Sequence, residues 1–157
     1  MGFEAVANTG PQLHLHELSA TKALKILRTC TTTEIDKELQ KYNVSSTLQL
    51  FHANSDNISY LYFKHNIGIG EASGIALCMK EKIGIFLTDD LGARAAATAE
   101  GLEVHGTIGI LLRAFRTKIF SKQHTLELLR QIPKKSTLFI TERILKSAIS
   151  AMQDYTE

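Results

Sequence analysis

Apolar residues follow two rhythms along this chain, short unbroken runs and spacings of three and four. Residues 3–7 form a short apolar run stopped by Asn8-Thr9-Gly10-Pro11, turn chemistry that ends a strand and opens a helix at Pro11. Leu13, Leu15 and Leu18 supply the apolar set of that helix. Ala20–Leu27 reads as helical, with Ala23, Leu24 and Leu27 on one face, and a strand is expected around Lys25–Thr29. One of Thr31, Thr32 and Thr33 is placed to cap a helix over Glu34–Tyr42. Residues 43–66 are rich in Asn and Ser and carry two apolar-aromatic runs, Leu48–Phe51 and Ile58–Phe63; the second is expected to be helical, after a mobile loop.

From Gly68 onward the pattern sharpens. Ala72, Ile75, Ala76 and Met79 mark a helical face within Ala72–Lys80. Ile83–Leu87 is a continuous apolar run of the kind that forms a strand buried on both sides. Thr88-Asp89-Asp90 follows it, and the alanine-rich Ala93–Glu100 helix ends at Gly101. Leu102–His105 is a further strand, and Gly106-Thr107-Ile108-Gly109 opens a helix over Ile110–Phe115. Two more helices are expected, Lys122–Gln131 and Thr141–Met152, with Pro133 between them.

Strands and helices therefore alternate. Alternation of this kind predicts an α/β fold, a parallel sheet with helices on both faces. The length of 157 residues fits one domain spanning the chain. In such sheets functional groups gather at the C-terminal ends of the strands.

That rule gives meaning to the carboxylates. Asn8 ends the first strand, Asp89 and Asp90 end the third, and Glu71 opens the helix leading into it. Glu34 and Glu38 share one face of the helix after the second strand, four residues apart. Oxygen-only clusters with two or three carboxylates suit Mg²⁺ or Mn²⁺. Each member also has a plainer reading: Asp90 as a helix cap, Glu71 as a favourable charge at a helix N-terminus, Glu34 as an exposed first-turn residue.

Composition changes this picture little, and charge a little more. Apolar content of 44% and charged content of 22% are those of a globular protein. No window approaches the ~20 apolar residues of a membrane span. With no signal-like N-terminus, a cytoplasmic location is expected. Cys30 and Cys78 lack metal-ligand spacing and read as small buried hydrophobes. The net charge of +2 hides an asymmetry. Residues 1–109 hold 9 Lys/Arg against 12 Asp/Glu, a balance of −3, and residues 110–157 hold 9 against 4, a balance of +5. An acidic front and a basic back are compatible with metal at one place and phosphate at another.

The motifs also resemble a known family. Asn8-Thr9-Gly10-Pro11 after a short strand looks like the opening of PIN domains. Gly70-Glu71-Ala72-Ser73-Gly74-Ile75-Ala76-Leu77 is similar to their central helix start, and Phe86-Leu87-Thr88-Asp89-Asp90-Leu91-Gly92-Ala93-Arg94 to their strand-end acidic motif. Residues 101–112, reading GLEVHGTIGILL, resemble a run found in one prokaryotic branch. The resemblance implies a three-layer α/β/α, Rossmann-like fold and Mg²⁺- or Mn²⁺-dependent cleavage of RNA, often as the toxin of a VapBC-type pair. A toxin of that kind is expected to be a homodimer silenced by an antitoxin protein. Carried over, Asn8 takes the place of the family's first Asp, Glu38 the second acidic position and Glu71 the third. Asp89 or Asp90 takes the fourth, with a slight preference for Asp90. Asn8 supplies a neutral oxygen where an aspartate would supply charge, so Mg²⁺ is expected to bind less tightly.

Other candidates are weaker. His14 and His16, two residues apart, could share a metal only in a strand. Thr107 and the Gly106/Gly109 pair stand at a helix N-terminus, where backbone N–H groups can hold a phosphate or simply make a tight turn. Arg94, one turn into its helix, either neutralises substrate phosphate or pairs with Asp90. Two rival readings remain: a catalytically silent PIN-like module that binds RNA or protein, and a phosphate-binding α/β protein using the Gly106–Gly109 turn.

Overall fold

The computed structural model describes residues 5–7, 29–33, 49–135 and 140–155. Five strands are present: β1 (Ala5–Ala7), β2 (Thr29–Thr32), β3 (Gln49–Phe51), β4 (Ile85–Leu87) and β5 (Glu103–His105). They form one parallel sheet in the order β3-β2-β1-β4-β5. Among the described residues six helices accompany them: α1 (Ser55–His65), α2 (Ile69–Glu81), α3 (Leu91–Ala99), α4 (Thr107–Arg116), α5 (Lys122–Lys135) and α6 (Glu142–Gln153). The chain runs outward from β1 to β3, then returns to place β4 on the other side of β1. The strand order therefore reverses between β1 and β4, and beyond their carboxyl ends lies the crevice where open α/β sheets bind ligands.

Consecutive residues of a strand face opposite sides of the sheet, and β4 shows the consequence. Phe86 is fully buried on one side, among Leu61 of α1, Ile75 and Leu77 of α2, and Ala93 and Ala97 of α3. Leu87 packs on the other, with Ile110, Leu111 and Phe115 of α4, Leu129 and Ile132 of α5, and Met152 of α6. Helices cover both faces, and β4 is the apolar partition between two cores. This is the α/β architecture that the alternating pattern predicts.

Several local expectations are corrected. The second strand falls at Thr29–Thr32 rather than Lys25–Thr29, with Thr31 and Thr32 paired in the sheet. The Leu48–Phe51 run is a fifth, edge strand, too short for a helical turn but able to pair with β2 along one side. Ile58–Phe63 is helical as expected. Asn54 caps that helix by accepting from Asp56 N–H at 2.9 Å, and Asn66, in the left-handed region at φ 51°, ends it. Pro133 lies inside α5 rather than after it. The helices expected over Pro11–Leu18, Ala20–Leu27 and Glu34–Tyr42 lie outside the described residues.

Candidate metal centre

The two aspartates at the end of β4 are held differently. Asp89 reaches across to the start of α4, where its Oδ1 accepts the Thr107 N–H at 2.9 Å and its Oδ2 accepts the Thr107 hydroxyl. Thr107 is itself only 2% exposed. Asp90 turns outward and caps α3, with Oδ1 accepting the Ala93 N–H at 2.7 Å. Its other oxygen, Oδ2, has no partner among the described residues. Asp90 is thus fixed in direction by one oxygen and free to bind with the second, whereas both oxygens of Asp89 are engaged.

Glu71 stands in the first turn of α2. Its partly buried carboxylate makes no hydrogen bond or ion pair among the described residues. Gly68, the N-cap residue, leaves the room it occupies: a side chain at 68 would collide with Glu71 Oε2 and meet Cδ at 3.2 Å. The start of α2 is fastened from below. Ser73 donates to the Gly70 carbonyl at 2.8 Å, so its oxygen accepts from the Thr32 hydroxyl, 2.6 Å away at the end of β2. Both hydroxyls are fully buried.

The starts of α2 and α3 also touch. A Cβ at Gly92 would stand 3.8 Å from Ile67 Cγ2 and 3.2 Å from Asp90 Oδ1, so the turn before α2 packs against the first turn of α3. Glu71 and Asp90 therefore open two neighbouring helices on one edge of the molecule. Each helix directs its positive dipole end to that edge, which favours carboxylate charge there.

Arg94, Asp89 and Thr107 gather on the β5 side. Arg94 donates from Nη1 to the Thr88 carbonyl at 3.1 Å and forms no ion pair with Asp90. Gly106 makes this approach possible, since a side chain there would collide with Asp89 Oδ1 and press on Arg94 Nη1 at 3.2 Å. Asp89 thus supplies the negative charge at the N-terminus of α4, in the place where the sequence left a phosphate as one option. Beside it opens a cleft of about 340 Å³ lined in part by Asp89, Arg94, His105 and Gly106.

A divalent cation suits part of this donor set. Glu71, with no partner and a cradle that a Cβ would fill, and Asp90 Oδ2 are oxygen donors of the kind Mg²⁺ and Mn²⁺ take. No group of three His, Cys, Asp or Glu side chains converges on one point among the described residues. Asn8, Glu34, Glu38, His14 and His16 lie outside those residues. Asn8 follows directly on Ala7, which pairs with Leu87 in the sheet.

A family model described as DUF3368, a PIN domain, matches residues 4–154. The chain belongs to the PIN-domain family. Comparison with curated proteins and with solved structures gives no match. PIN domains are typically metal-dependent nucleases.

Three features of this PIN domain escape a reading of its sequence. Ser73 looks like one small residue in an apolar helix face, yet it ties the turn that carries Glu71 to β2. Gly68 and Gly106 read as turn residues, and the reason for each is the carboxylate pressed against it. His105 pairs with Glu103, two residues before it on the same side of an edge strand, through Nε2 at 2.8 Å. The alternation of a strand signals that pairing; its place beside Asp89 and Arg94 needs the tertiary structure.

Proposed function

We propose that this PIN domain is a metal-dependent ribonuclease. The observation that carries the proposal is the unpartnered Glu71 carboxylate, opening α2 beside the Asp90-capped start of α3 at the point where the strand order reverses. Asn8, Glu38, Glu71 and Asp90 would hold one or two Mg²⁺ or Mn²⁺ ions, with Asp89 close by. Bound there, such an ion supplies charge stabilisation at the scissile phosphate and activation of water for attack.

The protein's own groups do the rest. Asp90 presents Oδ2 in a direction set by its cap, and Gly68 leaves Glu71 room to turn toward its ligand. Asp89 braces the ends of β4 and β5, so the edge keeps its shape as charge builds up on the phosphate. Arg94 retains N–H groups beyond the one given to Thr88, directed at a phosphate or base. Exposed Arg116, Lys118, Lys122, Arg130, Arg143 and Lys146, from α4 to α6, are available to track a backbone. RNA is the substrate we favour; a toxin role, with a homodimer and an antitoxin laid over the acidic edge, is the specific form of this reading that the motifs suggest.

Asn8 favours a second reading, a silent module that binds RNA without cutting it, because a neutral ligand weakens Mg²⁺ binding. Incubation with single-stranded RNA and Mn²⁺ separates the two. The nuclease reading expects cleavage that EDTA abolishes and that Glu71→Ala lowers on the order of 100-fold. Cleavage unchanged in Glu71→Ala contradicts the assignment of Glu71, and intact RNA under every metal tried favours the silent module.

A further inference from the structure

We propose that the cleft beside Asp89 receives a single unstacked nucleobase, one carrying a keto oxygen, from the strand whose phosphate lies at the acidic edge. The inference rests on the nuclease reading for the identity of the strand, but the cleft has its own chemistry. At about 340 Å³ it lies at the lower end of the sizes that enclose small ligands. Its walls are aliphatic: Leu91 at the start of α3, Ile108 in α4, and Ile140 and Ile144 at the start of α6. Leu91 is 82% exposed and Ile144 52% exposed, an unusual pair of bare aliphatic groups to find lining one cleft. The flat faces of a base, splayed out of its strand, are apolar and are held between apolar side chains in enzymes that read single bases.

The polar groups sit where the edge of such a base would arrive. Arg94 keeps guanidinium N–H groups beyond the Nη1 bond to Thr88, all of them donors. His105 also lines the cleft. Nε2 carries the hydrogen given to the Glu103 carboxylate, since an ionised carboxylate only accepts. Nδ1, the nitrogen not given to Glu103, lies 3.5 Å from where a Cβ of Gly109 would stand, so glycine at 109 leaves room beside it. The Arg94 donors match a base edge that offers a carbonyl oxygen, with His105 beside them as a second polar contact. Guanine, uracil and cytosine have that oxygen; adenine has no carbonyl. Because Asp89 and Arg94 line the cleft as well as the β4 end of the acidic edge, a base in the cleft and a phosphate at the edge would belong to adjacent positions of one strand.

The test is methyl NMR on isoleucine-labelled full chain in EDTA, titrated in turn with GMP, UMP, CMP, AMP and ribose 5-phosphate. The expected result is saturable shifts of the Ile108, Ile140 and Ile144 δ1 methyls. A keto-base nucleotide should bind on the order of tenfold more tightly than AMP, and ribose 5-phosphate should leave the three methyls in place. Ile144→Ala, an exposed change that leaves the core intact, should weaken binding several-fold; Arg94→Ala should narrow the gap between keto bases and AMP. Equal shifts with ribose 5-phosphate, or no shift of these methyls with any nucleotide at millimolar concentration, would overturn the proposal. Failure of the two readings is distinguishable. Nucleotide binding by a wild-type protein that cuts no RNA under any metal tried would keep the cleft and remove the nuclease. RNA cleavage with unmoved cleft methyls would do the reverse.

Discussion

Asp89 and Thr107, 18 residues apart, are joined by two hydrogen bonds, the Thr107 N–H to Oδ1 at 2.9 Å and the Thr107 hydroxyl to Oδ2. The pair closes the gap between the ends of β4 and β5 and stations a carboxylate at the N-terminus of α4. Hydrogen bonds to an ionised group are the stronger kind, about 1.5–3 kcal/mol each. Thr107→Val keeps the shape and the backbone bond but removes the hydroxyl. It should lower stability by roughly 2 kcal/mol, seen as a Tm decrease of roughly 4–8 °C in a thermal melt. Thr107→Ser should restore most of it. An unchanged Tm in Thr107→Val would show that the hydroxyl bond contributes nothing net.

The different holding of the two aspartates separates their roles. Asn caps a helix about as well as Asp, so Asp90→Asn should keep the melting temperature within about 2 °C while losing the charge offered by Oδ2. Its nuclease rate should fall on the order of 100-fold. Asp89→Asn should do the opposite in kind, weakening the brace to Thr107 and lowering Tm, with a smaller loss of rate. A large rate loss in Asp89→Asn with Asp90→Asn left active would make Asp89 the ligand.

Away from the site, Glu100 at the end of α3 accepts from Lys64 Nζ at 2.8 Å and from His65 Nε2 at 2.6 Å, tying α3 to the last turn of α1. The hydrogen bond from Lys64, followed by that from His65, holds the Glu100 carboxyl below its ordinary value of 4.5. A carboxyl lowered on folding adds stability that is complete above its unfolded value and is lost as pH falls through the folded one. Acid denaturation followed by circular dichroism should therefore begin at higher pH than in Glu100→Gln relative to each protein's own neutral stability. In the variant, the slope of stability against pH below about 4.5 should be shallower. Identical slopes would remove Glu100 from the acid transition.

The layers of this fold are legible in sequence because its strands are short apolar runs and its later helices have clear apolar faces. Phe86 and Leu87, adjacent in one run, end in separate cores, as a strand buried on both sides requires. The second strand is misplaced by sequence pattern because the helical spacing of Ala23, Leu24 and Leu27 runs almost to the point where Thr29–Thr32 pairs. The Gln49–Phe51 edge leaves no signal in the sequence, because three residues carry no period of their own. Around the site, Glu71, Asp89 and Asp90 are recognisable from motif order alone. Which aspartate is engaged and which has a free oxygen depends on a hydrogen bond to Thr107, and a separation of 18 residues leaves no local trace of it.

The central claim is that Glu71 and Asp90 hold a divalent ion, and Mn²⁺ binding measured by the loss of the free-ion electron paramagnetic resonance signal tests it without reference to turnover. Titration of the full chain should show saturable Mn²⁺ binding that Mg²⁺ displaces and that weakens at least about tenfold in Glu71→Gln and in Asp90→Asn, both still folded. Binding of equal strength in wild type and Glu71→Gln would contradict the account, because the unpartnered carboxylate on which it is built would then have no metal to hold.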